Sequence, residues 1–162
     1  MKTAIERYFE TITVQEKQKI MAEQEMKSFM TNASAAIKVI EDSISESVSK
    51  GLYSTIITFI KRPLFTECNG LKDLWYIATP KSEWTDFNYK VNAHYTIPVY
   101  NIPLLTLDEI ISQLKANGFI YEAQDITIPE ALSRTGKYSM QRDGYQIIIN
   151  WDNKLTILGE GK

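Results

Sequence analysis

From Met26 an apolar residue returns alternately every four and three positions, through Met30, Ala33, Ile37, Ile40 and Ile44, and Val48 continues the same face. A helix brings residues at that spacing onto one side, so the stretch reads as a long helix with one greasy stripe. Lys38, Glu41, Asp42, Glu46 and Lys50 dress its outer side, and Gly51 supplies the left-handed position that closes a helix. Upstream, Ile5, Phe9 and Ile12 repeat at helical spacing and predict a short leading helix. Thr13 with Glu16 three residues on predicts a second start, a capping box in which each side chain satisfies an otherwise unpaired amide. Between that box and the stripe, Gln15 to Gln24 is polar except for Ile20, Met21 and Ala22, so this segment projects into solvent or meets a partner.

Past Gly51 the period falls to two. Leu52 to Ile60 is rich in β-branched and aromatic residues and reads as a strand stopped at Pro63. Asn69-Gly70 marks a turn, and Leu74 to Ala78 a second strand ended by Pro80. Phe87, Tyr89, Val91, Ala93, Tyr95, Ile97 and Val99 alternate with polar residues, which predicts a strand with one buried and one wet face. Thr106 and Glu109 form another capping box before the stripe Leu107, Ile110, Ile111 and Leu114, and Gly118 closes that second helix. Phe119 to Tyr121 resumes strand character, and Pro129 is placed in the first turn of a short helix ended by Gly136. Asp143-Gly144 and Asp152-Asn153 are turn pairs that divide the rest into a meander of Lys137 to Arg142, Tyr145 to Trp151 and Lys154 to Leu158. The expected fold class is α+β: a long N-terminal helical segment, a mainly antiparallel sheet, one further packed helix and a C-terminal β-meander. The expected organisation is a helical extension over 1–33, a single domain over 34–158 and a tail over 159–162.

A chain of 162 residues, 44% of them apolar, has enough material for one cored domain and too little for two. Its net charge of -2 gathers no phosphate backbones, which disfavours general nucleic-acid binding. Cys68 stands alone, so an intrachain disulfide framework is excluded and a reducing compartment fits. His94 is the single histidine, which removes zinc sites built on two imidazoles and the paired-histidine phosphoesterase mechanism that His94-x-Thr96 would otherwise half complete. No glycine pattern for a dinucleotide or a P-loop is present, and no cofactor or metal is expected. The start of the chain is charged at once and lacks the apolar core of a signal peptide, and no apolar run reaches membrane-spanning length, so a membrane is not an expected partner. Glu67, Asp73, Glu83 and Asp86 are the acids available to an enzyme of unrecognised type, with no spacing that makes them converge.

Partner contact is the remaining chemistry. Met21, Met26 and Met30 offer adaptable apolar surface on a helix that outruns a small sheet, which points to self-association. Trp75, Tyr76, Trp84, Phe87, Tyr89, Tyr95 and Tyr100 crowd the middle third. Most are expected to fill the sheet's inner face, while Trp84, in a polar loop, is the candidate partner anchor with Lys90 beside the same cluster.

A helix running into Gly51-Leu52-Tyr53-Ser54 and a strand, a later helix ending in Gly118-Phe119, and a last strand ending in Ile149-Asn150-Trp151 together resemble small uncharacterised α+β proteins of tailed bacteriophages. The resemblance implies a phage origin and carries no catalytic residue. It implies a virion or host-cytoplasm setting and a non-catalytic structural or assembly protein whose partners are itself and other phage proteins. The alternative is a small accessory or inhibitor module that binds a host protein, nucleotide or nucleic acid through the aromatic middle segment.

Overall fold

The computed structural model describes residues 1–66, 70–89, 92–132 and 138–152. Its first element, α1, is one helix over Ala4–Ser49, 46 residues, or about 69 Å at 1.5 Å per residue. It starts at Thr3, whose side chain accepts from the Glu6 amide at 3.2 Å. The expected second start at Thr13 does not occur. The Thr13 hydroxyl donates to the Phe9 carbonyl at 3.0 Å, and Thr11 does the same to Arg7 at 2.9 Å. With a helix already nucleated upstream, each further residue gains a backbone bond at little cost, and the threonines bond backward within it. The far end is as expected: Gly51 has φ 76°, its amide reaches the Val48 carbonyl and that of Leu52 reaches Ser47, the paired bonds that satisfy a helix's last carbonyls.

Six strands follow, β1 (Ser54–Thr66), β2 (Gly70–Ile77), β3 (Thr85–Tyr89), β4 (Asn92–Thr96), β5 (Ile120–Ala131) and β6 (Ser139–Asn150), with α2 (Asp108–Ala116) between β4 and β5. They form one sheet in the order β2-β1-β6-β5-β4-β3. Every neighbour is antiparallel except β4 and β5, which meet in parallel at Tyr95 and Glu130, so the sheet is mixed and the class is α+β.

Several expected breaks are absent, each for a local reason. Pro63 lies inside β1, opposite Asp73 of β2, and does not stop the strand. Thr58 accepts from Ala78 on the β2 side, and strand groups alternate sides, so the missing amide of Pro63 falls on the β6 side, past Ile60↔Gly144, where the pairing of β1 with β6 has already stopped. Pro129 lies in β5 opposite Gln141 and begins no helix. The same alternation turns its nitrogen away from β6, while Gly136 is outside the described residues. Asp143-Gly144 is no turn: β6 runs through it, with Gly144 between Ile60 and Ile126. A Cβ there would stand 2.8 Å from Ile126 Cγ1 and 2.9 Å from Ile128 Cδ1, so the glycine serves close packing on the sheet face. The long alternation over Phe87 to Val99 is two strands, β3 and β4, paired from Thr85↔Thr96 to Tyr89↔Asn92. The predicted last strand, Lys154 to Leu158, is outside the described residues.

α2 begins one residue later than its capping box implies. Thr106 Oγ1 accepts from Asp108 at 3.3 Å, while Glu109 instead accepts from Gln113. Its end repeats that of α1, with Gly118 at φ 77° and Phe119 donating to Leu114 at 3.0 Å.

Both faces of the sheet are cored. Against one face pack Ala36 and Ile40 of α1 and Ile110 and Leu114 of α2, over Ile57, Phe59, Ile147 and Ile149. The other cluster gathers Phe29, Ile60, Leu74, Tyr76, Ala78, Ile97 and Ile128. The chain between β4 and α2 borders β2 through the bridges Ala78↔Val99 and Trp75↔Leu104, and Asn32 of α1 donates to Pro103 there at 2.9 Å. Fully buried Phe, Leu and Ile side chains contribute about 1.5–3 kcal/mol each, and this burial holds α1 to the sheet from Phe29 onward.

Candidate interaction surfaces

Before Phe29, α1 carries large apolar side chains that nothing among the described residues covers. Ile5 is 69% exposed, Phe9 61% and Ile20 54%, and Tyr8 and Val14 are likewise exposed. Tyr8 and Phe9 stand edge to face, ring centres 5.6 Å apart. The charges around them balance: Lys2, Arg7, Lys17, Lys19 and Lys27 against Glu6, Glu10, Glu16, Glu23 and Glu25. Glu10 is paired with both Lys2 and Arg7. Met21 and Met26, expected here as contact residues, are both exposed, and Lys72 of β2 brings its ammonium 4.0 Å from Met26 Sδ. Met30 is on the same helix, with its side chain outside the described residues. Ile5, Tyr8 and Phe9 are the residues that the methionine pattern passed over, and their helical spacing was the signal for them.

A second surface is a concave groove of about 560 Å³, lined among others by Thr58, Ala78, Trp84, Tyr95, Ile126 and Gln146. It follows the start of β1, which β2 joins only from Phe59. Trp84 is held there: its indole N–H donates to the Thr79 carbonyl at 2.8 Å, and its ring meets Tyr95 edge-on at 5.7 Å. Lys81 stands 5.9 Å above the Tyr95 ring. Lys90 is outside the described residues, so only Trp84 of that expected pair can be placed.

Two arginines and one acid form a third feature, which no local pattern announces. Glu130 of β5 is buried and accepts from Arg142 Nε of β6 at 2.7 Å and from Arg62 of β1. Arg62 also donates to the Ile97 carbonyl at 2.8 Å, so one cluster ties three strands to the segment after β4. Burial pushes the Tyr76 hydroxyl above its ordinary pKa, with Arg62 opposing that shift. Arg62 Nε is buried and, among the described residues, has no partner. The arrangement presents no free carboxylate to a substrate, and it braces the sheet.

Of the acids named for an unrecognised enzyme, Asp73, Glu83 and Asp86 are all exposed and Glu67 is outside the described residues. Cys68 is outside them as well, as is the side chain of His94. Among the described residues no three His, Cys, Asp or Glu side chains are gathered as a metal would need. No described helix is long and apolar enough to cross a membrane. No known protein family, curated protein or solved structure matches the chain.

Proposed function

We propose that this chain is a non-catalytic structural or assembly protein that works by self-association and protein–protein contact, a phage particle being the setting its sequence resemblance implies. One observation carries the reading: the helix extends well past the sheet and bears Ile5, Tyr8, Phe9, Ile20 and Met21 uncovered. Apolar area left in water on a stable element is driving force unspent until a partner covers it. Balanced charge along the same stretch lets copies approach without mutual repulsion. Light scattering on the full chain tests this: the wild type forms oligomers, and the double variant Ile5→Ser/Phe9→Ser is shifted to monomer with its fold intact by circular dichroism. A wild type that is monomeric at every concentration overturns the reading.

The aromatic groove supports a second reading, an accessory module that takes a nucleotide, nucleic acid or host protein, because Trp84, Tyr95 and Lys81 stand together in its lining. Tryptophan fluorescence titrated with nucleotides and oligonucleotides, in wild type and Trp84→Phe, decides the nucleotide and nucleic-acid arms. An unchanged signal in both proteins removes them.

A further inference from the structure

Because α1 is one helix, its two apolar stretches belong to a single seam. Ile5, Phe9 and Ile12 are spaced four and three apart, and the same alternation continues through Glu16, Lys19 and Glu23 to Met26 and Met30. A strict seven-residue repeat keeps a seam facing one partner helix along its length. From the structure we infer that two copies of α1 pair antiparallel along this seam, crossing between Lys17 and Gln18. The inference rests on the self-association proposed above and adds its geometry.

Charge decides the direction. In a parallel pair each residue meets itself, placing Glu16 on Glu16, Lys19 on Lys19 and Glu23 on Glu23, three like-charged layers in succession. In the antiparallel pair centred between Lys17 and Gln18, Glu16 lies level with the partner's Lys19, and symmetry repeats the pair. Phe9 then lies level with the partner's Met26 and Ile5 with the partner's Met30. Ile12 lies level with the partner's Glu23, whose methylene stem can cover it. Sliding one helix a heptad further along sets Glu16 against Met26 and Phe9 against Ala33, and Ala33 already packs in the sheet's core. Sliding the other way sets Lys19 against Phe9 and Glu23 against Ile5. The chosen register overlaps residues 5–30, about 39 Å of helix, and its two-fold symmetry closes the assembly as a dimer.

Cross-linking reads the register directly. Glu16 and Lys19 are both exposed in the single chain, so replacing them leaves the fold alone. Full-length Glu16→Cys and Lys19→Cys proteins, each also carrying Cys68→Ser, are mixed and oxidised. The expected product is the disulfide between the two variants, in excess of either self-linked product. Separately, Glu16→Lys and Lys19→Glu each weaken the dimer on the order of tenfold, and the double exchange restores it. A dimer by light scattering in which the Glu16→Cys protein links chiefly to itself, or which is insensitive to the charge exchanges, overturns the antiparallel register and leaves self-association standing. A monomer at every concentration overturns both.

Discussion

Glu130 of β5 accepts the Arg142 guanidinium of β6 at 2.7 Å, and the same carboxylate also receives Arg62 of β1. One acid thereby compensates two cations that are themselves largely withdrawn from water. Removing it as Glu130→Ala leaves both uncompensated, and breaking a buried pair in this way costs about 3–5 kcal/mol. Urea unfolding measures the loss. Replacing all three residues together by apolar ones is expected to cost less than Glu130→Ala alone.

Tyr76 gives the fold an alkaline limit. Its hydroxyl holds its proton more tightly when folded than when unfolded, because burial disfavours the phenolate more than Arg62 favours it. Above the ordinary tyrosine pKa, about 10, the unfolded chain therefore binds fewer protons than the folded one, so stability present below that pH is lost as pH rises through the folded value. Melting temperatures followed from pH 8 upward should fall in the wild type and fall less in Tyr76→Phe.

Gly144 admits no side chain without displacement of its neighbours. Gly144→Ala forces the new methyl against Ile126 Cγ1 and Ile128 Cδ1, and overpacking of this kind costs about 1–3 kcal/mol. Ile126→Ala makes room on the same row. The double variant is expected to be more stable than the two single losses predict, a coupling that a double-mutant cycle in denaturant measures.

The start of α1 is set at Thr3, with no restart at Thr13. Thr3→Ala removes the oxygen that the Glu6 amide uses, worth about 1 kcal/mol locally, whereas Thr13→Ala removes a hydroxyl already bonded within the helix. Amide exchange over the first turns should quicken in Thr3→Ala and stay unchanged in Thr13→Ala.

The elements legible in the sequence were those governed by near neighbours. The stripe from Ala33 to Ile44, the glycines at 51 and 118 and the stripe of α2 all act within a few residues, and the structure has each of them in its expected place. Illegible features depended on distant strands. Pro63 and Gly144 read as breaks because their residue types favour them, yet the end of the β1–β6 ladder before one and the nearness of Ile126 to the other reverse that local preference. The Arg62, Glu130 and Arg142 cluster joins residues far apart in the chain, and no periodicity brings them into one view. The exposed apolar face of α1 was half visible. Met21 and Met26 were read as contact residues, while the Thr13 and Glu16 pair looked like a boundary and hid that Ile5 and Phe9 share a helix with them.

A helix with neither glycine nor proline from Ala4 to Ser49 has no built-in hinge. Whatever seizes it at Phe9 is therefore held at a fixed stand-off from the sheet, about 30 Å from Phe29 along the axis. Under the proposed association the arm would act as a ruler: its length in turns would set how far apart the joined bodies stand, and an insertion or deletion of one heptad would change that gap by about 10 Å while keeping the same side outward.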